Sequence, residues 1–154
     1  MTLKAIEQLL AEHEFFAGLE QGYLELLSGC GRNVHFAAEE RIVREGDTAD
    51  SFFVIRKGLV ALEIVAPERG PVVLETLGDG EVLGWSWLFP PYRWLFDAQA
   101  LESTSAVQLD GTCLRQKCDE DPRLGYDLMG RFAGVMQERL NAARLRLMDL
   151  YGHE

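Results

Sequence analysis

Residues 80–100, GEVLGWSWLFPPYRWLFDAQA, gather the side chains best suited to holding a ligand. Trp85, Trp87 and Trp94 are the chain's three tryptophans, and Arg93 is the only basic residue of the stretch. A guanidinium at Arg93 would clamp a phosphate or carboxylate through paired N–H donors. Indole faces would give a planar ligand a floor to stack on, and the Ser86 hydroxyl could donate to an anion. Plainer readings stand beside these. Arg93 could be a surface cation stacked on Tyr92 or Trp94, and the three indoles could be core. Their confinement to ten residues favours a pocket. Pro90-Pro91 stiffens the loop, and Glu81 reads as an exposed loop carboxylate.

Other chemistry has less support. His13, His35 and His153 are scattered over a first helix, a strand start and the tail. A metal enzyme built on a β-roll needs clustered His and carboxylate ligands instead. There is no Walker loop, Gly-x-Ser-x-Gly elbow or Cys-x-x-Cys pair, so an enzyme is not expected. Cys30, Cys113 and Cys118 are odd in number and irregular in spacing. They read as reduced, small buried hydrophobes of a cytoplasmic protein, with reactive thiols as the alternative.

The elements that must position residues 80–100 follow from periodicity. Ile6, Leu9, Leu10, Leu24, Leu26 and Leu27 have helical spacing, interrupted by Gly18 and Gly22, which predicts two or three short helices. From Asn33 the texture changes to VHF, RIVR, SFFVIRKG, LVALEIVA, PVVLETLG, DAQALES and SAVQLD, each bounded by turn residues. Short strands at such regular spacing indicate a sandwich or barrel. LVALEIV alternates, which sets Val60, Leu62 and Ile64 on one face. Asp110-Gly111 ends the strands. A long helix then opens with Asp121 as N-cap and Pro122 at its first position, and runs to Tyr151 before a Gly152 stop. Its apolar positions Leu124, Leu128, Phe132, Met136, Leu140, Ala143, Leu147 and Leu150 step by fours and threes. At 1.5 Å per residue the helix is about 45 Å long, more than one small barrel covers. Its distal seam is expected to pair with a second copy. Gly125, Gly130 and Gly134 would permit close packing or a bend.

A chain of 154 residues with 47% apolar side chains is long enough to bury one core. The expected plan is a single domain over 1–154, with N-terminal helices at 1–32, a β-roll at 33–110 and C-terminal helices at 111–154. Net charge is −10. Residues 121–154 hold five basic and five acidic side chains, so the excess lies in residues 1–120. Neither half offers the basic face that nucleic acid requires. The N-terminal stretch is too interrupted by charge for a secretory leader or a membrane span.

Helices, then Glu45-Gly46-Asp47, FFVIRKGLVAL, Gly80-Glu81-Val82-Leu83-Gly84 and a long helix come in an order that resembles the cyclic-nucleotide-binding domain. This is the sensory half of catabolite-activator-type regulators. The resemblance covers essentially the whole chain, with Gly46, Gly58, Gly80 and Gly84 in the family's spacing. It implies a mainly β fold with flanking helices, a double-stranded β-roll or jelly roll plus a long C-terminal helix. It also implies a site. In that family the cassette after the second glycine pair is a short helix and loop that receives the cyclic phosphate at its N-terminus. An Arg neutralises the phosphate, and a Glu just after the glycine takes the ribose hydroxyl. Carried over, the candidate ligand residues are Gly84, Trp85, Ser86, Trp87, Arg93 and Trp94. Trp85 stands at the Glu position and Trp94 at the Arg position. Arg93 comes one residue early and reaches the phosphate only if the loop shifts. Regulators of this class carry a helix-turn-helix after the long helix; this chain ends at Glu154, so direct DNA binding is not expected of it. The reading is a sensor of a small molecule, cyclic AMP, cyclic GMP or another planar or acidic effector, that dimerises through the long helix. The alternative is a ligand-free interaction module of the same fold, its pocket plugged by indoles.

Overall fold

The turn-punctuated stretch from Gly31 to Asp110 folds into eight antiparallel strands in the computed structural model, which describes residues 3–151. They are β1 (Gly31–Phe36), β2 (Arg41–Val43), β3 (Ser51–Lys57), β4 (Val60–Ala66), β5 (Gly70–Leu77), β6 (Val82–Leu83), β7 (Asp97–Ala100) and β8 (Thr104–Asp110). The order is β1-β8-β3-β6 in one sheet and β2-β7-β4-β5 in the other. All seven expected strands are present, and β6 is additional. Gly46, Gly58, Gly80 and Gly84 all have positive φ. At Gly58 a Cβ would lie 2.4 Å from the Thr104 hydroxyl, so only glycine fits that crossing.

Four α-helices flank the roll: α1 (Leu3–Glu12), α2 (Gln21–Ser28), α3 (Gly111–Glu120) and α4 (Pro122–Tyr151). A 3₁₀ turn, Glu14–Phe16, separates the first two. The His13 ring caps it, Nδ1 accepting from the Phe15 N–H at 3.2 Å. Asp121 caps α4 as expected, its carboxylate accepting from the Arg123 N–H. The Gly152 stop lies outside the described residues. No described helix is long and apolar enough to cross a membrane.

Two cores result, one on each face of the β1-β8-β3-β6 sheet. The inner core fills the roll with Phe53, Ile55, Val60, Leu62, Leu77, Leu83 and Ala98. The outer core lies beneath the helices and joins Phe52, Val54, Val107 and Leu109 to Leu10, Phe16, Leu27, Leu114 and Phe132. β3 serves both, because side chains alternate along a strand and Ser51–Ile55 are buried throughout.

Three expectations need correction. Ile64 does not join Val60 and Leu62 in the core. β7 pairs with β4 only over Val60–Glu63, and beyond that the β4–β5 hairpin projects past the sandwich. Asp110-Gly111 does not merely end the strands: the Asp110 carboxylate accepts from the Cys113 N–H and caps α3. Cys30 and Cys113 are not reduced thiols but form a disulfide, Sγ to Sγ 2.01 Å. Their separation of 83 residues hides a pairing that the fold makes local. The case for a cytoplasmic protein thereby loses its argument from reduced thiols.

The long helix divides as its pattern suggested. Leu124, Leu128 and Phe132 are buried in the outer core, whereas Leu140, Leu147 and Leu150 are exposed. Continuing the face of Leu124 and Leu128, three arginines reach backbone carbonyls of the body. Arg131 donates to the carbonyls of Phe15 and Ala17, Arg139 to that of Val82 and Arg146 to that of Leu74. At Gly125, α3 and α4 approach closely, since a Cβ there would lie 3.2 Å from Cys118 Cβ.

Candidate functional site

β6 ends at Leu83, and Gly84, with a φ of +99°, turns the chain sharply off the sheet. A single 3₁₀ turn, Ser86–Leu88, comes next, three residues long and with no side-chain cap. One such turn offers no array of aligned N–H donors of the kind a longer helix presents to an anion. The loop then lies against residues 46–49. The Gly46 N–H donates to the Trp94 carbonyl at 2.8 Å, the Trp94 N–H to the Asp47 carbonyl at 2.9 Å, and the Ala49 N–H to the Tyr92 carbonyl at 2.7 Å.

This pairing fixes which side chain enters the roll. Neighbours on an extended segment point to opposite sides. Trp94 turns inward and is 4% exposed; Arg93 turns outward. Arg93 Nη1 lies 3.3 Å from both the Gly46 carbonyl oxygen and Thr48 Oγ1. The inward indole presses on Gly84. A Cβ built there would meet Trp94 Cη2 at 2.5 Å and Cζ3 at 2.6 Å. Trp94 also packs beside Phe96, ring centroids 5.9 Å apart, and belongs to the inner core.

The other candidates go elsewhere. Trp87, 1% exposed, crosses to the outer core. It stacks on Phe52 at 5.5 Å and 16° and meets the edge of Phe132. Its Nε1 is buried without a hydrogen-bond partner among the described residues, a cost on the order of 1–3 kcal/mol set against a large apolar burial. Trp85 is half-buried beneath Arg139, whose guanidinium carbon is 5.1 Å from the ring centroid. Burial lowers the Arg139 pKa, while Glu75, Glu81 and Glu138 oppose that shift. Ser86 is buried at the start of the 3₁₀ turn. Thus Gly84 and Trp94 meet, but the six residues do not converge on one hollow. Clefts of 410 to 750 Å³ open on the described surface, and Gly84, Ser86, Arg93 and Trp94 line none of these. Among the described residues, no group of three or more His, Cys, Asp or Glu could hold a metal.

Sequence reasoning missed Arg115 and offered Tyr92 to Arg93 instead. Arg115 donates to the Trp87 carbonyl and its guanidinium carbon lies 4.5 Å over the Tyr92 ring, tying the cassette to α3. The signal for α3 was the Asp110 cap, which a strand-ending turn imitates.

Residues 33–121 match the family described as the cyclic nucleotide-binding domain. A CRP-like cAMP-activated global transcriptional regulator of Mycobacterium tuberculosis is 24% identical over 145 residues. That match takes in 94% of this chain and 63% of the regulator, so the chain spans less than two thirds of its curated relative's length. A cyclic nucleotide-binding domain from Methylobacillus flagellatus superposes with a TM-score of 0.80 at 18% identity, covering 96% of this chain and 83% of that one. The regulatory domain of Toxoplasma gondii PKA, crystallised with cAMP, gives 0.73 at 15% identity, covering 88% and 50%. At these identities the structural likeness speaks for the fold alone.

Proposed function

Because the chain belongs to the cyclic nucleotide-binding domain family, we propose that it is a non-catalytic regulatory domain whose nucleotide cradle is filled by its own Trp94. The carrying observation is the Trp94 indole seated on Gly84 with the Arg93 guanidinium on the opposite side of the loop. A cyclic nucleotide entering the roll would have to expel a buried indole and gain a cation from a strand position of the wrong parity. Both costs oppose binding, and nothing in the cradle offsets them. The role that fits is an interaction module, cytoplasmic like the messengers its family reads.

The partner surface we assign to it is the distal part of α4, engaged by a second copy of the chain. Leu140, Ala143, Leu147 and Leu150 repeat at three and four residues, and the leucines at 140 and 150 are 73% and 76% exposed. Such a stripe left in water favours self-association. Leu140, Ala143 and Leu147 share one open surface of α4 with Gln137, Asn141 and Arg144, the surface on which a partner helix would lie.

Titration calorimetry with millimolar cyclic AMP, cyclic GMP and cyclic dinucleotides is expected to give no saturable heat, and Trp emission no change. A saturable heat lost on Arg93→Ala would restore a sensing cassette. Sedimentation should find a dimer that Leu140→Glu with Leu147→Glu dissociates; a wild-type monomer would remove the pairing.

A further inference from the structure

We propose that the Cys30–Cys113 bond is a thiol–disulfide exchange site for a protein dithiol reductant, and that its state sets the position of α3 beneath the cassette. The proposal is independent of the filled cradle, because the bond lies on the helix side of the sheet. Cys30 lies just past α2, and Cys113 stands in the first turn of α3. A 410 Å³ cleft lined by both cysteines opens on the bond, flanked by Gly29, Gly31, Arg32 and Asp110. Gly29 and Gly31 put no side chain in the way of an approaching thiolate, and Arg32 shares the rim with the carboxylates of Asp50 and Asp110. Cys30 is 8% exposed and Cys113 half-buried, so attack is assigned to Cys113, the less buried of the two.

The exchange balances within the two partners. A thiolate of the reductant attacks Cys113 Sγ, and the bonding pair leaves on Cys30 Sγ, which takes up a proton. The reductant's second thiol loses its proton and attacks its own sulfur in the mixed disulfide, expelling the Cys113 thiolate, which is protonated in turn. Two electrons and two protons pass to the protein, and the reductant departs as its disulfide. Cys118 stays out of the exchange. Burial, then Asp119 and Asp121, push its thiol up, so it remains protonated. Cytosolic disulfides, where they occur, are for the most part transient and catalytic or redox-sensing.

The contacts of α3 connect the state of the bond to the cassette. Of the ten residues of α3, Gly111 and Leu114 are the buried ones, so its own apolar anchor is small. Yet Gly111 abuts Trp87, a Cβ there lying 3.0 Å from Trp87 Cβ. Arg115 holds the Trp87 carbonyl and the Tyr92 ring, and Cys118 packs on Gly125 of α4. Releasing Cys113 therefore loosens an element that touches both the cassette and the long helix.

The test uses the full chain, oxidised in air and then treated with reduced thioredoxin. Alkylation with a mass tag after denaturation should rise from one tag, on Cys118, to three. Native Trp emission should shift with the same dependence on thioredoxin, and melting should fall by on the order of 10 °C. Cys30→Ser with Cys113→Ser should reproduce the reduced emission in both conditions; Cys118→Ser should leave the response intact. Three tags before reduction, a bond that survives excess thioredoxin, or unchanged emission after reduction each overturns the proposal. A reduced chain that unfolds at 25 °C does so too, because the bond would then be a structural staple. If the double Ser variant does not fold, thioredoxin-treated wild type carries the test alone.

Discussion

Trp87 and Trp94 come from one ten-residue stretch and end on opposite faces of one sheet. Trp94 enters the inner core, closed by strands of both sheets and by the loop pairing at residues 46–49. Trp87 enters the outer core, where α1, α2, α3, α4 and the 3₁₀ turn before α2 meet the sheet as separate pieces. The inner core is walled by hydrogen-bonded ladders; the outer one is assembled from helices that pack without such ladders between them. The contrast locates the part of the chain that has room to respond. On the proposed reading Trp94 takes the space in the roll, and the room to respond lies under the helices.

Truncation should expose the contrast most strongly. Trp94→Ala and Trp87→Ala are each expected to cost about 3–5 kcal/mol in urea unfolding. Trp87→Ala should also loosen α4, read as faster amide exchange around Phe132, whereas Trp94→Ala should leave that helix protected. Equal α4 exchange in the two variants would mean that the cores are not separate. The next effect is smaller. Gly84→Ala should cost about 2–3 kcal/mol, from a φ that suits glycine and from collision with the indole. The collision part should vanish when Trp94→Ala is combined with it, a coupling a double-mutant cycle reads directly. Additive losses would place the ring away from Gly84.

The smallest effect belongs to His13, on the outer side. Burial lowers its pKa below the ordinary 6.5, with the Ile55 backbone and Glu14 opposing. The unfolded chain therefore binds the proton first as pH falls. Stability is full above about 6.5 and declines as pH drops from there toward the lowered folded value. His13→Asn keeps an acceptor for the Phe15 N–H and should flatten melting temperature between about pH 7.5 and about pH 5.5. A slope that persists in the variant would assign the decline to other groups.

Much of the architecture was legible because the outer features obey simple periods. Seven strands announced themselves by turn residues, and α4 by Asp121-Pro122 and its apolar stripe. α3 did not, since GTCLRQKCDE buries little and carries almost no stripe. The disulfide was hidden because spacing along a chain says nothing of residues 83 apart. In the cassette the sequence left the directions of Arg93 and the indoles open. Whether Arg93 or Trp94 points inward is a matter of parity, and parity is fixed by hydrogen bonds to residues 46–49 that no local pattern encodes.

Arg131, Arg139 and Arg146 give the long helix an unusual mooring. Each ends on main-chain oxygen, which every residue type supplies, so drift in the sequences of the opposing segments leaves the attachment intact. Each is also a long, jointed arm. A rod held by three such lines can roll or slide slightly while all remain taut, and that slack is what a domain needs if it is to pass a message along its length without coming apart.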